Sequence, residues 1–183
     1  MIIFDTSNTK ADLQGILALQ SQNLTNSLTP EDLTTQGFVT VHHTLEQLQK
    51  LNEEERHIVA KDNGKIVGYV LAMTQKSKAD IPVLVPMFEV FDEIAWKGKM
   101  ISSYNYMVVG QVCVDKGYRG QGIFDRCYEA YSERYRNQYD FAITEIATAN
   151  TRSLQAHHRI GFRVVKTYTS PDKVEWAIVV WEW

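Results

Sequence analysis

Two stretches of this 183-residue chain carry residue types whose spacing suits chemistry. In the first, the apolar run Val108–Val114 leads through Asp115-Lys116-Gly117-Tyr118 into Arg119-Gly120-Gln121-Gly122-Ile123-Phe124. Phe124, Cys127, Tyr128, Tyr131 and Tyr135 then recur at i, i+3, i+4, i+7 and i+11, the apolar stripe of a helix packed on a sheet. The glycines therefore sit where a strand becomes a helix. The first N–H groups of a helix have no internal partner, and with the positive end of the helix dipole they form a site for a phosphate or pyrophosphate. Arg119 adds a charged donor, and glycine allows the tight turn and the close approach. Two glycines in an ordinary turn would read the same way, so the turn alone is weak evidence.

Other phosphate motifs fit less well. The P-loop fails because no Gly-Lys-Ser/Thr follows. The dinucleotide fingerprint fails because Gly120-x-Gly122 would need a third small residue at Asp125, which leaves a nucleotide-binding oxidoreductase a weak option. The second stretch runs from Glu145 through Asn150 and His157 to Gly161-Phe162. Asn150 suits a helix cap, Gly161 a C-terminal stop, and Phe162 the restart of a strand. Those structural roles would account for the stretch by themselves, with His157 or His158 a half-buried histidine.

Together the two stretches resemble the GNAT superfamily of N-acetyltransferases. The first matches its Arg/Gln-x-x-Gly-x-Gly/Ala turn at Arg119 and Gly122, with Phe124 where the family has glycine or alanine. The second matches its asparagine-helix-Gly-Phe signature. The resemblance covers roughly Tyr106 to Tyr168. It implies that Arg119, Gly120, Gln121, Gly122, Ile123 and Phe124 cradle the pyrophosphate of coenzyme A, with Asn150 also on the coenzyme. It implies further that the backbone of Val112, Cys113 and Val114 pairs with the pantetheine arm and supplies the oxyanion donor. In members that acetylate protein N-termini, a glutamate five residues before the asparagine is the base and a tyrosine seven after it the acid. Here those places hold Glu145 and His157. The implied donor is acetyl-CoA, and the acceptor a primary amine of a small molecule, peptide or protein. No metal is implied, and a homodimer is compatible with the family.

The chemistry is coherent. Acyl transfer needs a neutral amine, whereas most primary amines are protonated at pH 7. A carboxylate whose pKa is raised by partial burial can take that proton, a contribution of typically ~10²–10⁴-fold. Glu145 is suited to this and Gln111 is not. A histidine near pKa ~6.5 can protonate a leaving thiolate as readily as a tyrosine near ~10, so His157 can keep the acid role, with Tyr168 next in line. Cys113 could be read as a nucleophile, but a cysteine without a basic partner is more often core. The departures at Phe124 and His157 motivate a rival from another class, a catalytically silent acyl-CoA-binding or regulatory module.

The elements that must position these groups are legible from pattern. Ile2 to Phe4 reads as a strand, Leu13 to Leu19 as a helix capped by Thr9, and Thr44 to Leu51 as a second helix. His57–Lys61 and Lys65–Thr74 flank Asp62-Asn63-Gly64 as a hairpin. Lys76 to Ser103 reads as an insertion with some helix. Its Phe88, Phe91 and Trp96, with Glu89, Asp92 and Glu93, suit either a cationic acceptor or a solvated helix with an apolar face. Thereafter strand Tyr106–Val114, helix Gly122–Asn137, strand Phe141–Thr148, helix Thr151–Ile160, and strands Phe162–Tyr168 and Val174–Trp181 predict an α/β fold. The resemblance specifies a mixed, mostly antiparallel central sheet flanked by helices on both faces.

Length and composition agree with one domain over 1–183, with a coenzyme-binding core about 104–168 and an acceptor-side insertion about 76–103. At 44% hydrophobic residues the chain can bury a sizeable core. Two cysteines in apolar stretches give no disulfide framework and fit a reducing compartment. A net charge of −3, without a basic run, argues against nucleic acid. The most apolar stretch is too short and too interrupted for a membrane span, and the opening residues lack the basic region of a signal peptide. These features predict a soluble, cytoplasmic protein.

Overall fold

The computed structural model describes residues 1–183, apart from the side chains of Thr34 and Thr35. Strand β1 (Ile2–Thr6) is followed by α1 (Lys10–Ser21), which opens on a reciprocal cap: Thr9 accepts from the Asp12 N–H while Asp12 accepts from the Thr9 N–H. A short helix α2 (Pro30–Thr35) and α3 (Leu45–Glu54) precede the hairpin of β2 (Ile58–Asp62) and β3 (Lys65–Met73). Its turn places Asn63 at φ 47° and Gly64 at φ 83°, the double left-handed geometry that the Asn-Gly pair tolerates.

The insertion folds into α4 (Val85–Asp92) and a small hairpin of β4 (Ala95–Trp96) and β5 (Lys99–Met100). Then come β6 (Met107–Val114), α5 (Ile123–Tyr135), β7 (Ala142–Ala147), α6 (Thr151–Ile160), β8 (Arg163–Thr169) and β9 (Glu175–Trp181). The seven-stranded sheet has the order β1-β2-β3-β6-β7-β9-β8. Its β6 and β7 run parallel, and the other neighbours antiparallel.

Period-two alternation sends the two faces of the sheet to different helices. Met107 and Val109 of β6 join Cys127, Tyr128, Tyr131 and Tyr135 of α5 on one face. Val108 of β6 joins Leu51 of α3 and Phe88 and Phe91 of α4 on the other, where α1 also packs against β3. Phe88 and Phe91 are thus core and Trp96 packs partly buried against it: Phe91 meets Tyr106 edge to face at 6.2 Å, and Trp96 lies 4.6 Å from Phe141. Glu89, Asp92 and Glu93 stay exposed, as the solvated-helix reading has it. Among the described residues, no helix is long and apolar enough to cross a membrane.

One irregularity shapes the centre. The β3–β6 register slips between Leu71 opposite Gln111 and Ala72 opposite Val109, leaving Gly110 as the extra residue of a bulge. A Cβ there would stand 2.3 Å from Met73 Sδ, so any side chain at this position would force Met73 to shift.

Candidate active site

Strand β6 and the start of α5 form one wall of a cleft of about 520 Å³. Gly120 and Gly122 adopt φ of 75° and 74°, and nothing lies within 4 Å of where their Cβ atoms would be. Gly122 is also the N-cap of α5 and has no side chain with which to satisfy the first-turn N–H groups. Those donors and the helix dipole are therefore free to meet an anion in the cleft. The Phe124 ring packs on Tyr128 at 5.0 Å and on His157 at 5.3 Å, so the core absorbs the bulk that a glycine or alanine would lack. Arg119 is engaged with protein: its Nε donates to Val114 O at 3.2 Å, Nη1 to Gln36 Oε1 at 2.8 Å and Nη2 to Asn23 Oδ1 at 2.7 Å.

Beside this cleft the sheet splits. Strands β6 and β7 pair at Met107 with Ala142 and at Val108 with Ile143, and Thr144 Oγ1 donates to Val109 O at 2.8 Å. Past that point no register joins them, although β6 continues to Val114 and β7 to Ala147. Asp115 N–H donates to Val67 O on the β3 side, so alternation turns the N–H groups of Val112 and Val114 toward the open edge. A second cavity of about 80 Å³ occupies the split and shares Phe38, Val39, Val112 and Ser153 with the larger cleft.

Glu145, on β7, lines that second cavity. Burial raises its carboxyl from the usual range to about 7, while a hydrogen bond from the Tyr168 hydroxyl at 2.5 Å pulls the other way. A carboxyl raised into that range is suited to proton transfer near neutral pH. Tyr168 itself is held above its ordinary range, chiefly by burial and then by its bond to Glu145.

His157 also lines the split but is only 2% exposed. Its Nδ1 lies 2.8 Å from Ser153 O, to which it must donate, so Nε2 accepts from the Tyr128 hydroxyl at 2.7 Å. Burial lowers its pKa to about 4, and the ring is neutral at physiological pH. Both nitrogens are engaged, and the side chain bridges α6 to α5. Asn150 accepts from the Ser153 N–H at 3.3 Å as the cap of α6, and its Nδ2 donates to Phe38 O at 3.0 Å. Cys113 borders the larger cleft, but burial pushes its thiol up to about 12, which removes the nucleophile reading.

Other groups in the site have no motif to announce them. Residues 37–41 form a strap along both cavities. Polar side chains from the sheet and helices tie it and its flanks down: Arg119 to Gln36, Asn150 to Phe38 O, Gln111 to Val41 O at 2.8 Å, and Gln20 Oε1 to the His43 N–H at 2.9 Å. Such a segment has no periodicity for a pattern search to detect. Trp176, opposite Tyr168 in the β8–β9 register, lines the split, and Arg152 and Arg159 of α6 line the larger cleft. The i, i+7 spacing of the two arginines is visible in sequence once the helix is assigned. Among the described residues, no group of histidine, cysteine and carboxylate side chains could hold a metal ion.

Comparison with known proteins places this geometry. The sequence pattern of the acetyltransferase (GNAT) family matches residues 22–162. No curated protein matches the chain in sequence. Among solved structures, the ribosomal-protein-S18-alanine N-acetyltransferase from Escherichia coli is similar at a TM-score of 0.63 and 12% identity, over 100% of this chain and 94% of that one. NAA60 of Arabidopsis thaliana in complex with acetyl-CoA is similar at 0.64 and 14%, over all of both chains. The ribosomal-protein-alanine N-acetyltransferase from Brucella melitensis reaches 0.62 and 17%, over 99% of each. At these identities the likeness is one of fold, a mixed sheet flanked by helices.

Proposed function

The chain belongs to the acetyltransferase (GNAT) family, and from that premise we propose that it transfers an acetyl group from acetyl-CoA to a primary amine of a small molecule, peptide or protein. The observation that carries the reading is a half-buried carboxyl, Glu145, whose pKa burial raises to about 7, lining a sheet split that opens beside an uncapped helix start. The residues fit the donor. The bare N-cap Gly122 and the empty space over Gly120 leave room for a pyrophosphate, and the open edge at Val112 and Val114 offers N–H groups to the pantetheine arm and the acyl oxygen.

In the proposed reaction Glu145 takes a proton from the acceptor nitrogen, directly or through water. The N–C bond forms, the C–S bond breaks, and the sulfur leaves with a proton. We assign that proton to Tyr168, since its hydroxyl shares a hydrogen bond with Glu145 and can be reprotonated through it. His157, engaged at both nitrogens, acts by holding α6 against α5 and so positions the cleft wall.

A catalytically silent coenzyme-binding module is the second reading, favoured by the engagement of His157. Release of free thiol from acetyl-CoA, measured against a panel of primary amines and peptide N-termini, separates the two. Turnover that Glu145→Gln suppresses while coenzyme affinity holds supports transfer. Binding without thiol release from any amine supports the silent module. Calorimetric binding of NAD but not of coenzyme A would overturn both.

A further inference from the structure

The wall of the larger cleft formed by α6 contributes Arg152, Ser153, Gln155, Ala156 and Arg159, which fall on one helical face. Arg159 Nη2 lies 2.6 Å from Oδ1 of Asp125, a residue in the first turn of α5 that also borders the cleft. A carboxylate in a first turn suits the helix dipole, but here it stands beside the donors proposed to meet a pyrophosphate, where its charge opposes the ligand. Arg159 offsets that charge. With the two side chains 59% and 39% exposed, the pair is largely in water and holds its partners weakly. The guanidinium can therefore leave Asp125 for a stronger anion without a large loss.

A phosphate monoester carries close to two negative charges at pH 7 and accepts both arms of a guanidinium, which a single carboxylate oxygen does not. Coenzyme A bears such a group on the ribose 3′ oxygen, one sugar away from its pyrophosphate. Asp125 is itself in the first turn of α5, so the ion pair holds Arg159 at the same helix start as the proposed pyrophosphate donors. We infer that Arg159 is the subsite for the 3′-phosphate of the coenzyme, and that Asp125 is the partner it exchanges for that phosphate. The assignment rests on the coenzyme reading and adds a selectivity to it: the site distinguishes coenzyme A from dephospho-coenzyme A.

The test is calorimetric binding of both ligands to the intact wild-type protein and to Arg159→Ala, Arg159→Lys and Asp125→Asn, at low salt. The wild type is expected to prefer coenzyme A by ~10-fold or more, and that preference should shrink as salt rises. Arg159→Ala should bring the two affinities within ~2-fold of each other, because coenzyme A loses its phosphate partner whereas dephospho-coenzyme A loses only the offset of the Asp125 charge and weakens less. Arg159→Lys should retain part of the preference, and Asp125→Asn should keep it while tightening coenzyme A. A wild type that binds the two ligands equally, or a preference that survives Arg159→Ala, overturns the subsite while leaving the coenzyme reading intact. Failure of the wild type to bind either ligand overturns both.

Discussion

The Tyr168 hydroxyl donates to Glu145 Oε2 at 2.5 Å from a different strand, reaching past β9, which lies between β8 and β7. Glu145 is opposite Ile178 and Tyr168 opposite Trp176 on that shared neighbour, so both side chains leave the same face of the sheet. Two residues 23 positions apart thus become one hydrogen-bonded pair, and burial raises the carboxyl within it.

Because the Glu145 carboxyl titrates at about 7 and must be ionised to accept a proton, activity toward a fixed amine should rise with pH through about 7 and then level. Glu145→Gln should lower kcat by ~10²–10⁴-fold with little change in coenzyme affinity. Full kcat in a folded Gln variant would sink the base assignment.

The same shift has a stability sign. A carboxyl raised from 4.5 to about 7 stabilises the fold fully below 4.5 and loses that contribution as pH rises through 7. Thermal unfolding should therefore show Glu145→Gln more stable than wild type at pH 8, with the gap closing toward pH 4.

Removing the Tyr168 hydroxyl removes a bond that favours the ionised carboxylate, so the Glu145 pKa should climb further. The acidic limb of the pH–rate profile of Tyr168→Phe should move to higher pH. If Tyr168 also supplies the proton to sulfur, kcat should stay depressed on the alkaline plateau. A shifted limb with a normal plateau would confine the residue to tuning Glu145.

Buried neutral histidines predict sensitivity to acid. His43 and His157 are lowered to about 4 and His57 to about 3, each chiefly by burial. Their contribution is complete above 6.5, the ordinary value, and is lost as pH falls through 4 toward 3, because the unfolded chain takes up those protons first. Unfolding followed by circular dichroism should weaken steeply below pH 6.5, and His157→Gln should flatten that slope. An unchanged slope would mean that this ring is not kept neutral by the fold.

Two glycines give contrasting substitutions. Gly122→Asp places charge and bulk beside the proposed pyrophosphate donors and should weaken coenzyme A at least ~10-fold, about 1.4 kcal/mol, measured by calorimetry. The folded variant keeping wild-type affinity would remove the helix-start site. Gly110→Ala drives a methyl onto Met73 Sδ and should cost about 1–3 kcal/mol of stability by denaturant titration, with smaller side chains at position 73 restoring part of it.

The order of the longer strands and helices was legible because they carry their own period and punctuation: Thr9 and Asn150 as caps, Asn63-Gly64 as a turn, and Gly122 and Gly161 at helix ends; α2 and the β4–β5 hairpin are too short to carry a period and were not. The glycine turn was legible for the same reason, since a helix start is a local feature and the ligand it suits follows from backbone donors alone. Glu145 could be named as a candidate base, but no local rule gives a carboxyl a pKa near 7. That value needs the burial that packing imposes on β7, against which the hydroxyl arriving from β8 pulls. Tertiary packing likewise decided that His157 meets Tyr128 and Ser153, that Arg119 holds the strap, and that Phe88 and Phe91 are core. Sequence spacing fixes which face of an element a side chain occupies. What that face meets depends on contacts between residues far apart in the chain, and those exist only once the sheet has closed its register.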